Sequence, residues 1–506
     1  MVLLMSNPKL EKLRYIFCLC LPYYTINFHN ISYFFSGELN TFQLLKILII
    51  PPMNSRRTFM KKSSTALAGI TVGLDRSLLA KSSTEQVRVL NPKNQVPISF
   101  IIDDSTTLVN MAYYGIPQFA EVFPDRYQQD WKRLPQEIPD DFVREFRDYC
   151  QEHGVKGKYS IVPYPACTGW VDRFIPGWSK QELQESLKLV RETMQPDWDI
   201  HPEMISHTRV IDIKTGRPYP YADQNYMENW GWSQDKNADE LAAYLAYALQ
   251  VLNNADLYCE GITTPGGFGS QNKENLAQGT LEAVREVYPQ VNVAHYFRDL
   301  YTDSSHSVAP LVKYPADLKG TDPCCVVSVI GCTGDWFGGW DGLNPGSVDK
   351  FITADLDKGR MVEVIDSGEP AIMVCHWPGI YYNGEKTGFN IFKEVVNRLE
   401  QKYGRLNWMK NSEIARYWAA KDLTNITFDG KIISMYAPFA APDYTIEVKT
   451  DQGSGQVWHQ RKNTREKLVK VKSTEALEKN TFYADGAGTY LVCLDLSRGS
   501  QTLSFG

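Results

Sequence analysis

The sequence has no block of basic residues and no excess of positive charge. Its 53 Lys and Arg residues are outnumbered by 59 Asp and Glu residues, which gives a formal net charge of -6. Proteins that bind nucleic acids present clustered positive charge to the phosphate backbone. The composition therefore argues against nucleic acid as a partner.

Long apolar runs and cysteine pairs at metal-site spacing are also missing. The most apolar N-terminal stretch, residues 15–35, is interrupted by Pro22, Asn27 and Asn30 and is too broken for a spanning helix. The ten cysteines show none of the paired spacings of a zinc site. We therefore predict no membrane span in the mature chain, and cysteines that are buried and free.

An export signal is the clearest feature near the N-terminus. Paired arginines, Arg56 and Arg57, precede a bulky residue, a weakly apolar run and the small residue Ala80. This order resembles a twin-arginine signal, which implies the twin-arginine translocase as partner and a bacterial periplasmic or extracellular destination for the mature chain. We assign the signal to residues 53–80.

Residues 1–52 precede that signal, although such a signal belongs at the start of a chain. We therefore interpret them as upstream sequence translated from a wrong start, with translation beginning at Met53. The alternative is a genuine membrane-associated extension.

Between residues 87 and 420, seven short β-prone runs alternate with helical patterns. The first strand is "VPISFIID", and a typical helix places Phe142, Phe146 and Tyr149 on one face. Another helical pattern covers residues 347–365. The alternation predicts an α/β fold with a parallel sheet, either open and doubly wound or closed as a barrel. In both, ligands bind at the carboxyl ends of the strands.

From residue 421 to residue 506 the pattern changes to period-two alternation. Ile446 and Val448 alternate with Thr445 and Glu447 on opposite faces. This is typical of a small all-β module of sandwich type. We expect it to pack on the α/β domain rather than to bind sugar, because no aromatic cluster stands out.

Polar side chains and turn residues recur where the predicted strands end. The series is Asp103-Asp104, Pro163, His207, Thr264-Pro265-Gly266 and His376-Trp377. In this order, over residues 96–420, the motifs resemble those of the NodB-homology polysaccharide deacetylases. The resemblance implies a distorted seven-stranded (β/α) barrel that removes acetyl groups from N- or O-acetylated glycans.

The resemblance also implies roles for four residues. Asp103 would be the general base, Asp104 and His207 ligands of a divalent metal (zinc or a similar ion), and His376 the general acid. A bound cation would relieve the repulsion between the two adjacent carboxylates.

The chain departs from the family pattern at the metal. The family has a second histidine four residues after the first, and this chain has Ile211 there, which cannot bind a metal. Asp212, His201, Glu203 or a water molecule are the candidates for the vacancy. The third ligand is therefore left open.

A second departure concerns the base. The family uses an Arg in the fourth-strand motif to order the base, and "ITTPGGFG" has Thr263 at that position while keeping Pro265 and Gly267. Asp103 would then be tuned by another group or not at all.

A Gly-rich loop, residues 332–346, contains Trp336 and Trp340, whose rings suit stacking on a sugar. Asp335 in the same loop, Pro265 and Trp377 are further candidate substrate contacts. His295 and His306 are assigned structural roles.

These features predict an exported hydrolase that uses a metal bound to the protein to remove acetyl groups from a glycan. One alternative is a glycan-binding protein on a catalytically decayed barrel, with Trp336 and Trp340 supplying affinity. Another is a glycoside hydrolase, whose two acids flank the scissile bond; Asp103 and Asp335 would be that pair.

Overall fold

The computed structural model describes residues 86–451 and 455–506. The predicted signal at residues 53–80 and the segment 1–52 lie outside the described residues. Among the described helices, none has the length and apolar character needed to cross a bilayer.

Nine α-helices lie in the described part of the chain. They are α1 Met111–Val122, α2 Asp140–Glu152, α3 Lys180–Leu189, α4 Ala238–Asn254, α5 Lys273–Val287, α6 Arg360–Ser367, α7 Trp377–Tyr381, α8 Thr387–Tyr403 and α9 Asn411–Leu423. The predicted pattern at residues 347–365 is α-helical only from Arg360, with a short 3-10 helix at Val348–Lys350. Gly359, directly before the α-helix, has a φ of 113°, so a continuous helix cannot pass through it.

The strands fall into an α/β part and a C-terminal part. The first set is β1 Val87–Val89, β2 Pro97–Asp103, β3 Gly157–Ile161, β4 Trp198–Pro202, β5 Ile211–Asp212, β6 Arg217–Pro218, β7 Gly261–Thr263, β8 Val293–Leu300, β9 Leu311–Ala316, β10 Cys324–Gly331, β11 Ala371–His376 and β12 Asn407–Trp408. The second set is β13 Asn425–Phe428, β14 Ile432–Ala437, β15 Ala441–Lys449, β16 Val457–Arg461, β17 Thr464–Lys467, β18 Val469–Lys470, β19 Thr481–Ala484, β20 Thr489–Leu496 and β21 Gly499–Phe505.

The seven strands predicted for the α/β part all form, and the mixed α/β class is confirmed. They lie in two sheets, one with the order β11-β2-β3-β4 and the other with the order β7-β8-β10 followed by the antiparallel edge strand β9. Within each sheet the seven strands run parallel. Their carboxyl ends therefore meet on one side of the molecule.

The seven strands do not close into one hydrogen-bonded barrel within the described residues. Between β4 and β7 the ladder is reduced to a single bridge, Glu203 to Thr263. Pro202, which has no N–H to donate, and the three-residue length of β7 limit pairing at this seam. Between β10 and β11, Cys332 N donates to Ile372 O at 2.8 Å, but no ladder continues there in the described chain.

Side chains on each strand alternate between the helix-covered face and the interior between the sheets. On β4, Trp198 and Ile200 join the apolar core beneath the helices. Asp199, His201 and Glu203 take the opposite face, which is the interior. The interior of this fold is therefore polar along β4.

The all-β module is a pair of five-stranded sheets, with the orders β1-β15-β20-β19-β18 and β13-β14-β21-β16-β17. The strand β1, at the start of the predicted α/β domain, pairs antiparallel with β15. One buried cluster joins Ile101 and Val327 of the α/β sheets, Trp418 of α9 and Tyr444 of the module. The module thus packs on the α/β part.

Candidate active site and metal centre

The acid pair lies where β2 ends, and its two members point to different partners. Asp103 is the last residue of β2 and is 5% exposed. Asp104 has a φ of 56°, a left-handed conformation that Asp adopts more readily than most residues. This turn separates the two adjacent carboxylates, which are both buried.

Asp103 is held by a buried lysine that sequence reasoning missed. Lys158, on β3, is fully buried, and its Nζ donates to Oδ1 of Asp103, to Ile102 O at 3.0 Å and to Ser160 Oγ at 2.8 Å. Burial raises the pKa of Asp103 to about 6, although the Lys158 charge opposes the rise. A buried cation on β3 therefore lies beside Asp103.

Asp104 lies beside Glu203 and His207. The Nε2 of His207 is 2.7 Å from Asp104 Oδ1 and 3.3 Å from Glu203 Oε1. Glu203 Oε2 also accepts from the Asp104 backbone N–H at 2.8 Å. All three side chains are buried, and one donor atom from each lies within 4.8 Å of the others.

Glu203 is the third residue of this group, and it lies four residues before His207. From the sequence, Glu203 is among the candidates for the third ligand. Ile211 lies in β5, where it is buried and its N–H donates to Tyr244 Oη. Asp212 lies beside it and hydrogen bonds to Lys214 N, away from the three donors.

These three residues fit a divalent cation. Asp104 Oδ1 is buried, lies 2.7 Å from His207 Nε2 and makes no hydrogen bond within the described chain, which leaves this oxygen able to bind a cation. Burial acts to lower the pKa of His207, but Asp104 and Glu203 outweigh it and raise the pKa well above its ordinary value. The two buried carboxylates favour a positive charge beside them. Together with the imidazole they form a ligand set that suits zinc or a similar ion.

Glu228 shapes the loop that carries His207. Its fully buried carboxylate accepts from the backbone N–H groups of Ile205, Ser206 and His207, and from Tyr244 Oη. The loop needs such a clamp because Met204 and His207 have φ values of 51° and 65°. Burial raises the pKa of Glu228 to about 7. No sequence pattern marks this residue.

His376 pairs with Asp335 across the mouth of the site. The Nδ1 of His376 is 2.8 Å from Asp335 Oδ2. Burial acts to lower the pKa of His376, but the hydrogen bond to Asp335 and the charge of Asp104 raise it to about 10. His376 and Asp103 are register partners on β11 and β2, so the two candidate proton-transfer groups lie on neighbouring strands.

The predicted aromatic contacts divide into two groups. Trp336 and Trp340 are partly exposed; Trp336 packs edge-on against Phe351 and Trp340 against Phe119. Trp377 is 1% exposed and buried against other aromatic rings, so it has no face to offer a sugar.

Pro265 and Thr263 follow one another closely at the end of β7, and both contact other parts of the fold. Pro265 is buried in a turn, where its carbonyl accepts from Phe268 N at 2.9 Å. Thr263 contacts His201 Nδ1 at 3.2 Å rather than Asp103.

Comparison with known proteins gave matches among solved structures alone: no family model and no curated protein matches the chain. A protein from Mycobacterium smegmatis described as a polysaccharide deacetylase is 12% identical, over 67% of this chain and 96% of its own, with a TM-score of 0.36. A CE4 family pseudoenzyme from Bacillus anthracis is 9% identical, over 65% and 68%, with a TM-score of 0.27. Likeness at this level identifies no activity for this chain.

Proposed function

We propose that the chain is a carbohydrate-active hydrolase that removes acetyl groups from an N- or O-acetylated glycan with the help of a divalent metal. The observation that carries this proposal is the meeting of Asp104, Glu203 and His207 within 4.8 Å, beside a separately paired Asp103. Three protein ligands leave a coordination position open, as catalytic zinc sites do.

The metal, when bound, would act as a Lewis acid that polarises the acetyl carbonyl. The other steps belong to the chain itself. Lys158 occupies Oδ1 of Asp103, so Oδ2 is the oxygen that takes a proton from the attacking water. Lys158 also keeps Asp103 ionised at a lower pH than its burial alone would allow.

His376 is the proton donor to the leaving sugar nitrogen or oxygen. Its bond to Asp335 holds the ring in place and keeps it protonated at neutral pH. Since Asp103 and His376 are partners on adjacent strands, an acetyl group between them meets the base on one side and the acid on the other.

Export is part of the proposal, because polymeric glycans of this kind lie outside the cytoplasm. Arg56 and Arg57 would direct the folded chain to the twin-arginine translocase. Replacing both with Lys should retain the protein in the cytoplasm, as fractionation and immunoblotting would show. A protein exported equally well without the arginine pair would refute this part.

The central test combines metal analysis with acetate release from a panel of acetylated glycans. We expect Asp104→Asn and Glu203→Gln to lose the metal of this site and the activity together. Asp103→Asn should keep the metal and lose about 100-fold or more in kcat, because only the base is removed. If wild-type protein binds no divalent metal at saturating concentration, the hydrolase mechanism fails and glycan binding without catalysis takes its place.

A further inference from the structure

A second cluster of side chains that could bind a metal lies in the interior between the sheets. It is nearer to the start of β4 than Glu203 is. Asp199 and His201 come from β4, and His295 from the neighbouring sheet, on β8. Both histidines are fully buried. One donor atom of each of the three side chains lies within 4.8 Å of the others.

The two imidazoles meet through their Nε2 atoms. His201 Nε2 and His295 Nε2 are 2.8 Å apart and share a hydrogen bond, with the ring centroids 4.7 Å apart. Asp199 Oδ2 lies 3.7 Å from His295 Nε2. A metal ion bound by both nitrogens would displace the shared proton.

Gly261 leaves the space next to these nitrogens open. A Cβ at this position would lie 2.8 Å from His201 Nε2 and 2.8 Å from His295 Nε2. Any other residue on this part of β7 would press its side chain against both nitrogens. The φ of Gly261 is not in the left-handed region, so the backbone conformation itself does not require glycine there.

Neighbouring groups orient two of these three side chains. Thr263 Oγ1 lies 3.2 Å from His201 Nδ1, the nitrogen that faces away from His295, and such an outer partner orients a metal ligand. Asp199 is fixed by Ser412, whose backbone N donates to Oδ2 at 2.6 Å and whose Oγ donates to Oδ1 at 2.8 Å. His295 Nδ1 makes no hydrogen bond in the described chain, so no partner there prevents Nε2 from carrying the lone pair. Burial lowers the pKa of both histidines, that of His295 to about 3.

An ion bound by these residues would lie where the two sheets meet. Asp199 and His201 belong to the sheet that ends at β4, and His295 belongs to the sheet that begins at β7. Backbone pairing at this seam amounts to the single Glu203–Thr263 bridge. We propose that Asp199, His201 and His295 bind a second divalent metal, with zinc fitting the two-histidine, one-carboxylate set, and that this ion ties the two sheets together.

Zinc content of the purified full chain tests this inference, independently of the proposed hydrolase. After dialysis against zinc and removal of free ion, we expect two equivalents in wild type and one in His295→Gln. The exposed His306→Gln is the matched control and should retain two. Asp104→Asn should retain one, and a chelator should lower its melting temperature by several degrees because the remaining ion stabilises the folded state.

The outcomes separate the two metal sites. One equivalent that Asp104→Asn abolishes, and His295→Gln does not, would overturn the second site and leave the proposed active site intact. One equivalent that Asp104→Asn retains, and His295→Gln loses, would support the second site and remove the metal from the proposed hydrolase. Should His295→Gln fail to fold, cobalt titration of wild type decides, since a single saturating equivalent whose spectrum Asp104→Asn removes would refute the inference.

Discussion

Lys158 Nζ donates to Asp103 Oδ1 in a region where both side chains are shielded from water. The other two donors of the ammonium group are also used, by Ile102 O and Ser160 Oγ. A buried lysine with all three donors satisfied is an ion-pair partner rather than a free base. The acid pair of β2 is therefore divided between two cations, Lys158 for Asp103 and the proposed metal for Asp104.

Replacing the lysine should move the acid limb of the activity profile. In Lys158→Met, Asp103 loses its cation, so its pKa rises and the base is protonated at higher pH. We expect the acid limb of kcat/KM to shift upward by about one pH unit, and the activity at pH 7 to fall about 2-fold. The partly exposed Lys156→Met is the control. An acid limb that stays in place would show that Lys158 does not tune Asp103.

Asp335 should set the alkaline limb. The pKa of His376 is raised to about 10, so the stabilisation from its protonated form is complete below its ordinary pKa near 6.5 and is lost as the pH rises through about 10. Asp335→Asn should lower this pKa and bring the alkaline limb of kcat/KM down toward neutral pH. Asp349→Asn, on the exposed surface, should leave the profile unchanged. Identical alkaline limbs in wild type and Asp335→Asn would remove His376 as the acid.

Glu228 should act through the position of His207. Glu228→Gln places an amide N–H₂ among three backbone donors that a carboxylate now satisfies. We expect the free energy of unfolding to fall by about 2 kcal/mol and the affinity for zinc to fall about 10-fold. Urea denaturation and zinc competition measure the two effects, with the exposed Glu185→Gln as control. Unchanged zinc affinity in folded Glu228→Gln would show that His207 does not need the clamp.

The loop tryptophans should contribute to glycan binding whether or not the chain is catalytic. Trp336→Ala and Trp340→Ala should each weaken binding by about 1 kcal/mol, because a sugar stacks on an aromatic face. Calorimetric titration with a soluble acetylated oligosaccharide measures the effect. Trp458→Ala, in the all-β module, is the control for loss of a tryptophan. Full affinity in the double variant would make the loop a scaffold only.

Local sequence was enough to place several of these residues at strand ends. Short β-prone runs mark the seven strands in the sequence. The change from apolar residues to Asp103 or His376 marks the end of a strand. The capping box of α3 is a local feature of the same kind, since Ser179 and Glu182 hydrogen bond to each other's backbone over three residues. Such features depend on neighbours in the chain and can be read from spacing.

Partnership across strands was decided only by the tertiary structure. Lys158 looks like an ordinary surface residue in "GKYSI". The one signal in the sequence that it faces inward is that it lies two residues before Ser160, on the same face of the strand. Glu203 meets Asp104, and His295 meets His201, across more than 90 residues of chain. The sequence determined which side chains stand at strand ends, because that follows from local periodicity; the packing of the two sheets determined which of them meet, because contacts between distant strands have no fixed spacing.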